Sequence, residues 1–228
     1  MAKPINEMEK VKIEVWSDVV CPSCYIGMQQ LKQAVSSLNA KGDVEIVLRS
    51  FQLDPDFPKN KSMSSLKHLA EMKGLGMDRV QEMCVRLVPV GKKVHIDFKF
   101  DEALIYNTQD AHRLIQWSKT FDKSIALEKA LLHAYFCDGI DLSMQKNLLK
   151  IIEDVGLDCE KAIEIIEKEE FSEEINLDIE RAKSLGVRGV PFFLINEKTA
   201  VSGYQEDGEF EKLLSSALNN LTSNKDRT

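Results

Sequence analysis

A cysteine pair, Cys21-Pro22-Ser23-Cys24, stands where one hydrophobic period gives way to another. Upstream, Val11-Lys12-Ile13-Glu14-Val15-Trp16 alternates apolar and polar residues, the period of a half-buried strand, and stops at the turn-forming Ser17-Asp18. Downstream, Tyr25, Ile26, Met28, Leu31, Val35 and Leu38 recur at helical spacing as far as Asn39-Ala40-Lys41-Gly42. Residues 43–51, with Val44, Ile46 and Leu48 alternating, then read as a second strand. Because a whole helix separates them, the two strands are predicted to lie parallel, in a β-α-β unit with the cysteines at its first strand-to-helix junction.

Beyond Asp54-Pro55 and Phe57-Pro58 the texture changes. Residues 62–170 carry helical periodicity with very little that resembles a strand. Helices are predicted over 63–73, 77–90, 108–121, 124–137, 143–155 and 159–168, with breaks at Gly74, Gly91, Asp122 and Gly139. A helix over 171–185 stops at Gly186, and Val190-Pro191-Phe192-Phe193-Leu194-Ile195 is a short apolar strand. Asn196-Glu197-Lys198 turns the chain, Thr199 to Ser202 pairs back, and 208–221 forms a last amphipathic helix. The predicted fold class is therefore α/β: a mixed sheet built from β-α-β and then α-β-β-α, with a large all-helical insertion. Residues 11–58 and 171–221 form the discontinuous sheet domain, and 59–170 the inserted helical subdomain.

Composition narrows the function. An apolar content of 43% in 228 residues supports ordinary globular folding, and 37 acidic against 30 basic side chains leave a formal charge of -7. Such a surface repels phosphate backbones, so nucleic acid is excluded as a partner. The first ten residues hold no apolar run, so neither a secretory signal nor a membrane span is expected, and the reading is cytoplasmic. Five cysteines, at 21, 24, 84, 137 and 159, are an odd and scattered set that fits a reducing compartment better than a disulfide framework.

Disulfide exchange needs a thiolate that persists at neutral pH and a second thiol close enough to resolve a mixed disulfide. Cys21, just before a helix, meets the unpaired amides and positive dipole end that favour an anionic sulfur, and reads as the exposed nucleophile. Cys24, one turn in and more buried, reads as the resolving thiol. Pro22 suits the first helical position because its missing N–H would be unpaired there. A metal-binding pair is the competing reading, but zinc asks for four ligands and His68, His95, His112 and His133 lie scattered. Pro191, opening an apolar strand, cannot donate to a ladder and is placed for geometry. The Val190-Pro191 bond is expected to be cis, which beside the cysteines would turn the Val190 backbone toward an extended substrate, whereas a trans bond would mark only an edge strand. His112, near the start of an insert helix, is either structural or a site residue. Asp18 either tunes the thiols or caps the turn, and Cys84, Cys137 and Cys159 read as small core hydrophobes.

Ser17 through Gly27 closely resembles the active-site segment of DsbA-like thioredoxin-domain proteins, specifically their cytoplasmic FrnE-like branch. Arg49-Ser50-Phe51-Gln52-Leu53-Asp54-Pro55, Ala111-His112-Arg113-Leu114, Ala134-Tyr135-Phe136 with Gly139, Gly186 to Phe193 and Ser202-Gly203-Tyr204-Gln205 resemble that branch in the same order, so the likeness spans about residues 11 to 218. It implies a thioredoxin fold with a helical insert, and oxidation, reduction or isomerisation of protein dithiols. It also implies Cys21 and Cys24 as catalytic residues, with substrate contacts at Pro22, Ser23, Val190, Pro191 and His112. No metal and no cofactor beyond the redox-active disulfide are implied. The partners are protein or peptide thiols and disulfides, with glutathione as a candidate co-substrate, and the chain is a monomer or homodimer. Ser23 departs from the Trp common there, which leaves oxidant and reductant unseparated. The branch is related to glutathione-dependent 2-hydroxychromene-2-carboxylate isomerases, which carry serine at the nucleophilic position; Cys24 argues for redox work over that isomerase or transferase alternative. A non-catalytic peptide-binding module is the third reading.

Overall fold

The computed structural model describes residues 10–59 and 61–225, with side chains through 221; the start of the chain over 1–9 and part of the polar tail, 226–228, lie outside the described residues. In chain order the elements are β1 (Val11–Ser17), α1 (Pro22–Ser37), β2 (Val44–Ser50), β3 (Ser62–Ser64), α2 (Ser65–Lys73), α3 (Met77–Lys93), β4 (Leu104–Tyr106) and α4 (Gln109–Ser118), which a 3-10 turn extends over Lys119–Phe121. Then come α5 (Ser124–Phe136), α6 (Gln145–Asp154), α7 (Cys159–Glu167), α8 (Ser172–Ser184), β5 (Phe192–Ile195), β6 (Thr199–Ser202) and α9 (Glu209–Lys225).

Four strands form the main sheet in the order β2-β1-β5-β6. β1 and β2 run parallel in register from Val11↔Val44 to Ser17↔Ser50, as the intervening helix requires. β5 pairs antiparallel with the other edge of β1, and β6 folds back on β5. The alternation in β1 divides its side chains between two layers. Val11, Ile13 and Val15 enter the large core with Leu31 of α1 and Phe210 and Leu214 of α9, whereas Trp16 packs with Leu194 and with Ala182 of α8 on the opposite face. The architecture is thus the expected thioredoxin-like α/β fold, a mixed sheet with helices on both faces and a helical insertion.

The insertion does not own a separate core. Leu114, Leu127, Leu131, Tyr135, Ile152 and Ile165 belong to the same apolar cluster as Ile13, Leu31 and Phe193. Among the described residues of the insertion, only α2 and α3 keep a small cluster of their own, around Leu66, Ala70, Val80 and Cys84.

Two details differ from the sequence reading. The insert holds a two-stranded antiparallel sheet, β3 with β4, in which Met63 faces Ile105. Three residues are too few to display a period, and their partner lies some forty positions away. Second, α3 passes through Gly91 to Lys93. Gly91 serves a close approach instead of a stop: a Cβ there would come within 2.5 Å of the Phe98 ring.

Candidate active site

β1 ends at Ser17, and a short turn delivers Cys21 as the N-cap of α1, with Pro22 in its first turn. At this position the sulfur takes the role usually filled by a serine or aspartate oxygen: the Cys24 backbone N–H donates to Cys21 Sγ at 3.2 Å. The turn is held from below, since the Cys21 N–H donates to the Asp18 carbonyl at 3.1 Å. Across the sheet, the Cys21 thiol donates to the Val190 carbonyl at 3.4 Å, and the Val190-Pro191 peptide bond is cis. Cys21 and Cys24 come within 2.8 Å of each other as free thiols.

Cys24 has no exposed surface. Burial pushes its thiol well above the ordinary range, and the adjacent Cys21 adds to the effect, against the opposing influence of the Asp18 backbone and the Ser17 hydroxyl. Cys21 is only 4% exposed, so it is not the openly exposed sulfur the sequence reading expected. The Val190 carbonyl covers it, and an incoming group must reach it past that loop. Pro22, Ser23 and Val190 are half-buried around the sulfur, while Pro191 is buried. Gly27 lets α1 lie close to the loop, for a Cβ there would stand 3.0 Å from Phe193 and 3.2 Å from the Pro191 ring.

His112 does not line this opening. It is 2% exposed and lies under the site, with its Nε2 3.2 Å from an oxygen of the fully buried Asp18. A side chain so enclosed offers no surface to a peptide, so its predicted substrate contact gives way to an internal role. Asp18 uses its other oxygen to accept the Leu53 N–H at 2.8 Å. The insert helix α4, the cysteine turn and the loop after β2 therefore meet at one carboxylate. Cys84 and Cys137 are buried and Cys159 partly so, all three as free thiols.

Three neighbours escaped the sequence reading: Ser17, Lys32 and Glu128. Glu128 is buried on α5 and flanks the Cys24 neighbourhood from the insert side, with Ser17 and Lys32 beside it. A signal for it exists in the spacing, because Leu127, Leu131, Leu132 and Tyr135 make an inward stripe and 128 falls within it.

A family model described as a DSBA-like thioredoxin domain matches residues 12–215. The chain belongs to that family. The uncharacterized protein YwbO of Bacillus subtilis (strain 168) is 23% identical over 207 residues, covering 90% of this chain and 96% of that protein. The crystal structure of a probable DsbA oxidoreductase from Streptomyces coelicolor is 27% identical with a TM-score of 0.86, covering 92% of this chain and 90% of that one. The cytosolic disulfide reductase DsbM from Pseudomonas aeruginosa, solved with GSH, shares the fold at 14% identity and a TM-score of 0.63, over 91% and 99% of the two chains. Among the described residues no helix is long and apolar enough to cross a membrane, and no three His, Cys, Asp or Glu side chains gather as metal ligands would.

Proposed function

We propose that this DSBA-like chain is a thiol-disulfide oxidoreductase in which Cys21 exchanges with substrate and Cys24 resolves. The observation that carries the reading is the Cys21 sulfur itself. It is the cap of α1, it accepts the Cys24 N–H at 3.2 Å, and it faces the Val190 carbonyl of the cis-proline loop. Amides directed at a sulfur stabilise negative charge on it, and a thiolate is the attacking species in disulfide exchange.

In the reductive direction the Cys21 thiolate attacks one sulfur of a substrate disulfide, forming a mixed disulfide and releasing the first substrate thiolate. Cys24, deprotonated, then attacks Cys21 Sγ, forming the Cys21-Cys24 disulfide and releasing the second. Two electrons pass to the substrate and the enzyme pair is oxidised. The oxidative direction is the same path reversed. The absence of histidine from Cys-Pro-Ser-Cys leaves the thiolate with less help, which favours the reductive direction and suits work in the cytoplasm. Val190 offers backbone groups to an extended protein or peptide thiol, and Pro22 and Ser23 border the approach. Glutathione is a natural small partner, since DsbM, a fold neighbour, was solved with GSH.

Equilibration against a glutathione redox buffer, with mass spectrometry locating the disulfide, tests the reading. A reversible two-electron transition confined to Cys21 and Cys24 is expected, and Cys24→Ser should accumulate a mixed disulfide at Cys21. Exchange that survives Cys21→Ser, or a pair that never closes, would sink it.

A further inference from the structure

Six arginines lie among the described residues, and five of them face a carboxylate. Arg49 meets Glu14 and Asp178, Arg79 and Arg86 share Glu82, Arg113 meets Asp110, and Arg181 meets Glu14. Arg188 is exposed and, among the described residues, has neither an ion pair nor a side-chain hydrogen bond. In a chain with 37 acidic against 30 basic side chains, a guanidinium left without a carboxylate is the exception.

Its place is the mouth of the cysteine site. Arg188 stands two residues before Val190, whose carbonyl accepts the Cys21 thiol at 3.4 Å. Two residues of chain span at most about 7 Å, a distance that an arginine side chain can cover. The loop is pinned at both ends, by the Val187 N–H donating to the Ala182 carbonyl at 3.0 Å and the Gly203 N–H donating to the Pro191 carbonyl at 2.8 Å. Between those ties it is open, since a Cβ on Gly189 would meet nothing within 4 Å. Arg188 is therefore carried on fixed backbone with free space beside it. The other segments that meet here supply no cation. The cysteine turn 17–27, the loop 51–58 and the segment 203–207 carry Asp18, Asp54, Asp56, Glu206 and Asp207 but neither lysine nor arginine. Lys59, just past the second of these, is taken by Glu169.

We propose that Arg188 sets the substrate preference of the cysteine pair, its guanidinium receiving a carboxylate of the incoming disulfide. This rests on the redox reading above and deepens it by naming a substrate class. The class is disulfides of cysteine peptides with a carboxylate within about two residues of the sulfur, which takes in glutathione disulfide and acidic peptide segments. A planar guanidinium holds a carboxylate through two parallel N–H donors, which fixes orientation as well as charge. The bordering carboxylates repel an anion, so this one guanidinium decides whether an anionic disulfide is held at the opening. With the substrate so held, the Cys21 thiolate attacks its near sulfur. The new S–S bond forms as the substrate S–S bond breaks, and the departing sulfur leaves with the electron pair and takes a proton from solvent. Arg188 keeps its charge throughout and exchanges no proton.

The test is the second-order rate at which the reduced full chain is oxidised by two small disulfides of opposite charge, anionic glutathione disulfide and cationic cystamine. The quantity read is the ratio of the two rates within each protein, because a change in folding or in thiol reactivity moves both rates together and leaves the ratio. Arg188→Gln should lower the glutathione-to-cystamine ratio about tenfold, Arg188→Glu should lower it further, and Arg188→Lys should keep most of it. Added salt should pull the wild-type ratio toward that of Arg188→Gln. A second pair of probes, peptide disulfides with Glu or Gln two residues from the cysteine, separates the sources of the carboxylate. A wild-type preference for the Glu peptide that Arg188→Gln abolishes assigns acidic peptides to the class, and equal rates for the two peptides assign the preference to glutathione alone. A glutathione-to-cystamine ratio in Arg188→Gln and Arg188→Glu within twofold of wild type overturns the role of Arg188 and leaves the redox reading standing. If neither disulfide closes the Cys21-Cys24 pair in the wild type, the redox reading falls and this preference with it.

Discussion

Two glutamates are buried on opposite sides of the same sheet, and the protein treats them in opposite ways. Glu14, on β1, is bound by Arg49 at 2.5 Å and by Arg181 at 2.5 Å. Burial works to raise its pKa, but hydrogen bonds from Arg181 and Arg49 and their positive charge overcome that and hold the carboxyl below its ordinary range. The same network continues to Asp178, which accepts from Arg49 at 2.8 Å, from the Ser50 N–H at 2.9 Å and from Gln116 at 2.6 Å, and so ties β1, β2, α4 and α8 together. Glu128, buried on α5, has Ser17, the partly buried Lys32 and His112 to favour its charged form, and burial prevails. A fully paired carboxylate is fixed in its charge and serves structure. A carboxyl left short of partners has its pKa set by burial instead.

The largest effect expected from breaking this contrast is on Glu14. Glu14→Ala takes from two guanidiniums their shared carboxylate and should cost about 3 kcal/mol, the low end for a buried pair because both arginines reach solvent and Arg49 keeps Asp178. A urea midpoint at neutral pH measures it, and exchange activity per folded molecule should be unchanged. The folded pKa lies below the ordinary 4.5, so the stability Glu14 contributes is present above that value and is lost as pH falls through the folded pKa. Wild type should therefore lose its advantage over the variant in acid; a gap that stays constant with pH would show that Glu14 acts by packing alone.

On the cysteine side the tightest constraint is steric. Gly27→Ala adds a methyl 3.0 Å from Phe193 and 3.2 Å from Pro191, and should cost about 1–2 kcal/mol as α1 shifts outward. Because the same helix carries both thiols, the glutathione equilibrium of the pair should move in the variant as well. A stability loss with an unmoved equilibrium would separate packing from chemistry at this contact.

Glu128→Gln should have the smallest effect on stability, within about 1 kcal/mol, and the opposite pH signature. With its folded pKa raised above 4.5, the native state keeps a proton that the unfolded chain releases, so wild-type stability falls as pH rises from that value through the raised one. The amide variant lacks this fall and should gain on wild type toward neutral pH. Denaturation curves at acid and neutral pH decide it, and parallel slopes for wild type and variant would erase the distinction between the two glutamates.

Much of this was legible in the residues. The alternation of β1 and β2, the stripe of α1 and the run Phe192 to Ile195 locate the sheet and the helix that presents the cysteines, because a hydrophobic period reports which face of an element is buried. The same logic misreads Gly91, where a missing side chain makes room for Phe98, and passes over β3 and β4, whose three-residue pairing has no period to display. The cysteine spacing also announced the chemistry, since two thiols one turn apart at a helix start suffice for exchange.

What surrounds those thiols was decided elsewhere. His112 read as either structural or a site residue and is seated on Asp18, ninety-four positions away in the chain, and Glu128 reaches the neighbourhood of Ser17 because α5 packs on α1. The sequence by itself determined most of the elements, the order of the sheet halves and the place of the cysteine pair at the start of α1, all of which follow from local spacing. The tertiary structure decided how far Cys21 is covered, which buried acid is neutralised by arginine and which is left able to hold a proton, because burial and charge pairing are properties of neighbours that local spacing does not encode.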